Sequence, residues 1–308
     1  MKVAVVVLNW NGKSDTLKCL ESLNDSTHRD LAIIVVDNGS VDGSPEALRQ
    51  ACPHATVIEN GVNLGYAEGN NVGMRHALGN GAESVLLLNN DTVVAPDAIA
   101  VLVEALASDP SIGLISPMIY YHAEPDKIWF GGAEWQSPKA HFRHKGARKT
   151  DAEHPVARGA ETDYASGCAL VIRSEVIAKI GLIDPRFFLT WEETDWSYRV
   201  RKSGYRVVMG PGAKVWHKVS SSFEGGGKGS IYQYYYTRNR FLWIEKNLRG
   251  AEKARAYVRC VRELWWDVSA GERSAARSAR LRGARHYILR RFGPDARPFG
   301  RVAASTAP

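Results

Sequence analysis

Through its first hundred or so residues the chain alternates short apolar runs with helical repeats, and every run stops at polar residues. That rhythm constrains the fold more than any other feature. Residues 3–8 form a β-branched apolar run ended by Asn9-Trp10-Asn11-Gly12. Such runs, apolar at every position, read as strands buried on both faces of a parallel sheet. Residues 13–23 follow with leucines at 17, 20 and 23, the spacing of one helix face. A second run, 31–36, ends in Asp37-Asn38-Gly39-Ser40. Ser44-Pro45-Glu46 marks a helix start, with Ser at the cap and Pro at the first helical position. Residues 56–59 and 84–88 read as third and fourth strands, and 69–78 and 97–106 as helices. This predicts an α/β fold, an open and mostly parallel sheet with helices on both faces. Ligands of such sheets sit beyond the carboxyl ends of the strands. Asn9, Asn11, Asp37, Asn38, Asn63, Asn89, Asn90 and Asp91 all stand at those ends.

The remainder is less regular. Aromatics and Gly131-Gly132 suggest strands around a polar excursion at 141–161. Residues 166–172, 207–209 and 213–216 are strand-like, and 174–180 and 195–203 helical. Residues 220–230 form a Ser/Gly-rich loop, helical and basic residues dominate from Ile231, and 293–308 read as a frayed end. We expect one large domain over 1–245, with a nucleotide-binding half (1–110) and an acceptor or catalytic half (111–245), followed by a basic helical extension, 246–308. That extension holds 15 Lys and Arg against 5 Asp and Glu, so it carries +10 while the preceding residues sum to −3. Such a tail suits an anionic membrane surface or an acidic partner, or is simply a solvated helical face. It has no nucleic-acid-binding motif, so nucleic acid is not an expected partner. Cys19, Cys52, Cys168 and Cys260 lack metal-ligand spacing, which fits a reducing compartment. No run reaches the length of a spanning helix, and the apolar start is too short for a signal peptide core. A cytoplasmic protein is expected, with peripheral contact at the inner face of the cell membrane and a homodimer both open to it.

Several clusters can carry chemistry. Asp37 can accept from the N3–H of a pyrimidine, with Asn38 and Ser40 serving the sugar; a turn cap is the plainer reading. Residues 63–73 are dense in Asn and Gly, including Asn63, Gly65 and Asn70, and precede a helix whose N-terminal amides attract phosphate. Neither the dinucleotide fingerprint nor a Walker A motif is present, and Gly225 to Ser230 lacks the spacing of one. Asn89-Asn90-Asp91 offers oxygen ligands to a hard divalent cation, Mg²⁺ or Mn²⁺, which takes one or two carboxylates plus substrate phosphates. Glu192-Glu193-Thr194-Asp195 crowds three carboxylates between Trp191 and Trp196. Crowding and burial raise carboxyl pKa values, as a general base near neutrality requires. Acids complementing a helix N-terminus would account for one of the three. His217 ends a strand and can be a metal or phosphate contact or a structural histidine. Tyr232 to Arg240 mixes aromatics with arginines and can close over a pyrophosphate, stack on a sugar or lipid, or pack as a helix with snorkelling Arg.

Taken together these pieces resemble the family 2 inverting glycosyltransferases of GT-A fold, in their bacterial rhamnosyltransferase-like branch. The motifs are residues 7–12, 35–40, Asn63-Leu64-Gly65 with Asn70, Leu88 to Asp91, Ser166-Gly167-Cys168, Asp184 before Phe187-Phe188, Glu192 to Trp196, and Arg199 with Gly204. They run in the family's order over about residues 3–245. The resemblance implies a nucleotide-sugar donor, dTDP- or UDP-linked, held by Asn9, Asn11, Asp37, Asn38, Asn63, Gly65, Asn70, Asn90, Gly167 and Arg238. Asn89-Asn90-Asp91 stands where the family has its D-x-D motif, with Asn in place of the first acid. Asp91, Asn89 and His217 are then the implied metal ligands. Glu193 stands where the family usually has the Asp of a Glu-Asp pair, the base; Asp195 is a second candidate and Glu192 its neighbour. The implied reaction is a metal-assisted single displacement with inversion, from dTDP-rhamnose onto a hydroxyl of a lipid-linked or cell-surface glycan. A UDP-hexose or UDP-N-acetylhexosamine donor, a sugar nucleotidyltransferase and an inactive sugar-nucleotide-binding protein are the alternatives. The Asn-Trp-Asn-Gly after strand one argues against the nucleotidyltransferase.

Overall fold

The computed structural model describes residues 1–219, 229–269 and 274–295. Most of the Ser/Gly-rich loop expected at 220–230, and most of the frayed end expected at 293–308, lie outside the described residues. The elements in chain order are β1 (Val3–Asn9), α1 (Lys13–Asn24), β2 (Leu31–Asp37), α2 (Ser44–Ala51), β3 (Thr56–Glu59), α3 (Gly65–Gly79), β4 (Ser84–Asn89), β5 (Thr92–Val94) and α4 (Ala98–Ser108). Then come β6 (Ile112–Tyr121), β7 (Glu124–Phe130), β8 (Ala133–Gln136), β9 (His141–His144), β10 (Ala169–Arg173), α5 (Ser174–Ile180), α6 (Glu192–Lys202), β11 (Arg206–His217), α7 (Ser230–Asn247), α8 (Gly250–Ser269) and α9 (Ala275–Ile288).

The main sheet runs β3-β2-β1-β4-β10-β6-β11-β5, with β7 beside β6. Strands β3, β2, β1 and β4 are parallel, as their continuous apolar runs require. Strand β10 is antiparallel to both neighbours, β4 and β6. The two expected strand pieces at 207–209 and 213–216 are one strand, β11, whose register shifts at Gly210–Lys214. Helices cover both faces. On one, Leu20 and Leu23 of α1, Leu48 of α2 and Ile99, Leu102 and Leu106 of α4 pack on the sheet. On the other, Met74 of α3, Ile177 of α5 and Trp196 and Val200 of α6 do so. A third core joins Phe187 and Trp191 to α7, α8 and α9 through Phe241, Trp243, Cys260 and Ala284. The expected division at 245 falls within α7. All four cysteines are free and buried. No helix among the described residues is long and apolar enough to cross a membrane.

Two helix starts differ from expectation. Helix α2 is capped by Gly43, with φ +74°, rather than by Ser44, whose N–H and hydroxyl both donate to Asp42. Helix α3 begins at Gly65, not Gly69, so most of the expected Gly/Asn loop is helix. Its glycines serve close packing. A Cβ on Gly69 would meet Leu8 Cδ1 at 2.6 Å, and one on Gly73 would meet Val6 Cγ1 at 2.4 Å.

Candidate active site

Register gathers the polar strand ends. Asn9 lies opposite Asp37 across β1 and β2, and Leu8 lies opposite Asn89 across β1 and β4. Asn9 is fully buried and acts as a hub. Its amide donates to Asp37 Oδ1 at 2.7 Å and to Ser40 Oγ at 3.1 Å. Its oxygen accepts from Thr16 Oγ1 at 2.8 Å, from the Gly12 N–H at 3.2 Å and from Asn90 Nδ2 at 3.3 Å. Asp37 Oδ2 takes the Ser40 N–H at 2.8 Å. Asn11, at φ +51°, accepts from the Val41 N–H and holds that loop against the hub. Thr16 and Ser40 are thus part of the constellation. Thr16 lies four residues after Gly12, whose carbonyl takes its hydroxyl, so its inward face was readable from helical spacing.

The Asn/Gly segment plays a different part from the phosphate cradle expected of it. Asn63 Oδ1 takes the Gly65 N–H at 2.8 Å, and the Phe188 carbonyl takes the N–H groups of Tyr66 at 2.7 Å and Ala67 at 3.3 Å. The first amides of α3 are therefore spent within the protein. Gly65, at φ +77°, leaves no room for a Cβ against the Phe188 ring, 2.5 Å away. Asn38 is buried and donates to the Gly65 carbonyl at 3.0 Å; Asn70 is buried and donates to the Tyr66 carbonyl at 2.9 Å. These residues shape the wall between the nucleotide half and the 186–191 loop.

At the end of β4, Asn89 spends its main chain on Cys168 and Thr92, with its side chain half-buried at the rim. Asn90 points inward, donating to Thr16 Oγ1 at 2.9 Å. Asp91 is buried, and its Oδ1 lies 3.1 Å from His217 Nε2 at the end of β11. His217 Nδ1 is buried without a partner. Burial would lower the His217 pKa; the Cys168 sulfur and the Asp91 carboxylate outweigh it and raise the value to about 10. The pair fits a divalent cation: a carboxylate and an imidazole nitrogen converge, and the imidazole must lose its proton to bind. Among the described residues no third His, Cys, Asp or Glu joins them.

The acidic cluster opens α6. Phe188, Thr190 and Trp191 have φ of +63°, +67° and +72°, a left-handed run that side-chain-bearing residues avoid. Strong anchors hold it. Asn239 of α7 aims the two hydrogens of its amide nitrogen, one of them shared, at the carbonyls of Phe187 at 2.7 Å, Leu189 at 2.7 Å and Thr190 at 2.9 Å. Arg238 donates to the carbonyls of Phe187 at 2.8 Å, Arg186 at 3.0 Å and Gly293 at 2.7 Å. Arg238, expected to face a donor, is fully buried by these contacts and braces the loop. Asn239 was not singled out from the sequence; no local pattern marks it.

Glu192 and Glu193 each bury one carboxyl oxygen with no partner. Burial, and then the neighbouring Glu193, push the Glu192 carboxyl well above the usual range. Burial raises Glu193 to about 7. Asp195 differs. It is fully buried, with Arg199 Nε at 3.1 Å and Lys246 Nζ at 3.0 Å on Oδ2, and Asn247 Nδ2 at 3.0 Å on Oδ1. With both oxygens committed it ties α6 to α7. Tyr66 joins the clusters: its hydroxyl donates to the Gly167 carbonyl, and Glu192, Glu193 and Cys168 all raise its pKa after burial. Cys168 in turn feels His217 and Asp91. Tyr66 and Cys168 thus stand between the raised carboxyls and the Asp91–His217 pair. Beside Glu193, Tyr232 and Tyr236 stack with ring centroids 5.4 Å apart, and Tyr236 meets Trp191 at 5.4 Å.

A mixed sheet in this strand order, with polar residues gathered at its strand ends, has the GT-A fold. Residues 4–180 match Glycosyl transferase family 2, more than half of the chain, and the protein belongs to that family. It is 26% identical over 286 residues to the N-acetylglucosaminyl-diphospho-decaprenol L-rhamnosyltransferase of Mycobacterium tuberculosis, covering 82% of this chain and 91% of that one. It is 22% identical to the dTDP-rhamnosyl transferase RfbF of Shigella flexneri, covering 80% of each. Its fold superposes on a mannosyltransferase of Pyrobaculum calidifontis in complex with GDP-Man and Mn²⁺. That match has a TM-score of 0.59 at 18% identity, over 94% of this chain and 83% of the other.

Proposed function

We propose that this glycosyltransferase moves rhamnose from dTDP-rhamnose onto a hydroxyl of a lipid-linked or growing cell-surface glycan, with inversion. The observation that carries the chemistry is Glu193, a carboxyl raised to about 7 with an oxygen free of hydrogen bonds at the cleft. Such a group can take the acceptor's proton near neutrality as the new glycosidic bond forms. Burial and the neighbouring Glu193 also raise Glu192, so a second negative charge beside the first is disfavoured. Asp37, at the end of β2, would receive the base, with Asn9 and Ser40 holding its carboxylate in place. The stacked Tyr232 and Tyr236 suit an acceptor sugar ring. Asp91 and His217 would hold a divalent cation, which when bound neutralises the charge on the departing nucleoside diphosphate. Two relatives named as rhamnosyltransferases support the sugar.

Calorimetric titration with dTDP, UDP and GDP, each with and without Mn²⁺, tests the donor side. Metal-enhanced binding of dTDP is expected, and Asp91→Ala should abolish the enhancement. Preferential UDP binding would move the donor to a UDP-hexose or UDP-N-acetylhexosamine. Failure of all three nucleotides to bind would sink the nucleotide-sugar reading.

A further inference from the structure

Helix α8 leaves one face uncovered. Its inner side packs through Ala256 and Cys260, with Tyr257 and Leu264 alongside, onto α7 and α9. Both of its described acids are engaged: Glu252 accepts from Trp135 Nε1 at 2.9 Å, and Glu263 accepts from Arg240 Nη1 at 2.6 Å. On the outer side Val258, Val261 and Trp265 are 59%, 57% and 60% exposed. Their spacing of three and four residues puts them on one stripe. Trp266 is equally exposed and meets Trp265 edge-on at 5.1 Å. Beside that stripe, at the same spacing, run Arg255, Arg259 and Arg262, all exposed. Arg259 reaches Glu263 at 2.7 Å; Arg255 and Arg262 have no acidic partner among the described residues.

An exposed apolar stripe with tryptophan, bordered by unpaired arginine, is the composition of a helix lying in a membrane interface. Tryptophan partitions to headgroup depth, and each arginine gains from anionic lipid within a Debye length. A second copy of the chain would bring the same arginines face to face across a two-fold axis, and like charges so placed repel. We propose that the outer face of α8 docks on the surface of an anionic phospholipid bilayer. The inner face of α8 packs on α7, whose Asn239 holds the loop before Glu192. A chain docked this way has α8 and then α7 between the lipid and the loop before Glu192; the lipid-linked acceptor proposed above would lie in that same surface.

Flotation of the full chain with phosphatidylcholine vesicles containing phosphatidylglycerol, and with phosphatidylcholine alone, tests this without using activity. It therefore fails separately from the transferase reading. The wild type should float with the anionic vesicles, weakly with the neutral ones, and less at high salt. Val261→Ser with Trp265→Ser, and separately Arg255→Glu with Arg262→Glu, should each lower partitioning by about tenfold or more. Nucleotide binding should be unchanged in both, which controls for folding. The proposal is overturned if the wild type stays in solution with both vesicles. It is also overturned if either pair floats as the wild type does. Light scattering that shows a wild-type dimer made monomeric by the substitutions, with flotation unaltered, would assign the face to a second copy instead.

Discussion

Glu193 keeps a carboxyl oxygen without a hydrogen bond, whereas Asp195, two residues on, accepts from Arg199, Lys246 and Asn247. Their variants should separate accordingly. Glu193→Gln should lower kcat by roughly 10²–10⁴-fold while leaving donor affinity and Tm near wild type, the size expected for loss of a general base. Asp195→Asn removes the charge facing two half-buried cations and should chiefly lower Tm, by an amount corresponding to about 1–3 kcal/mol. Steady-state kinetics with thermal melts on both variants decides. Loss of turnover in Asp195→Asn at unchanged Tm would reverse the assignment. The raised Glu193 carboxyl also sets two pH dependences of opposite sign. Activity needs the ionised form, so kcat/KM should rise with pH through about 7. The folded chain holds that proton more tightly than the unfolded one, whose Glu titrates near 4.5. Stability contributed in acid is therefore lost as pH rises from that value through about 7. Glu193→Gln should flatten both profiles.

The loop 186–191 and helix α7 form one device. Three left-handed residues aim the start of α6, and a single asparagine amide on α7 collects three of the loop's carbonyls. Strain of this kind costs on the order of 1–3 kcal/mol per residue and persists only where surroundings over-determine it. Asn239→Ala should let the loop relax and misplace Glu193. The expected result is a kcat loss of roughly a hundredfold, as for a misplacement of about 1 Å. Donor KM should hold, and the pH profile should broaden or shift as the Glu193 environment loosens. A purely structural role would instead lower Tm while leaving the kcat and pH profile of the remaining folded enzyme unchanged. This device also marks the limit of reading the sequence. The acids of Glu192 to Asp195 were visible because three carboxylates between two tryptophans cannot all be solvated. Which of them is committed to cations depends on Lys246 and Asn247, some fifty residues away. Arg238 looked like a phosphate ligand because it sits among tyrosines, yet its partners are carbonyls from a distant loop. The helix expected from Gly69 starts at Gly65, and Gly69 and Gly73 within it let α3 lie close to Leu8 and Val6.

At the scale of the whole molecule the order of strands decides what can fold alone. The alternation through residue 106 revealed four parallel strands and their helices, since each apolar run names its own burial. It could not reveal that β10, some eighty residues further on, lies beside β4, because antiparallel insertion leaves no local trace. The expected nucleotide half, residues 1–110, therefore lacks the partner of its own fourth strand. Cut there, β4 would present Val85, Leu86, Leu87 and Leu88 as an open apolar edge, the arrangement that invites aggregation. Strand β5 would lose β11, its sheet neighbour, and α4 would lose the β6 and β11 surface beneath Ile99, Leu102 and Leu106. A fragment of residues 1–110 should accordingly show no cooperative thermal transition and should aggregate at concentrations where the full chain is dispersed. Residues 1–245 are expected to fare little better, because α7 would end before Lys246 and Asn247, the two α7 partners of Asp195. The intact chain should unfold in one transition by circular dichroism and by tryptophan fluorescence, with coincident midpoints. Two separated transitions, the first matching a stable 1–110 fragment, would show that the nucleotide half is an independent unit. The cleft would then lie between two domains rather than within one sheet.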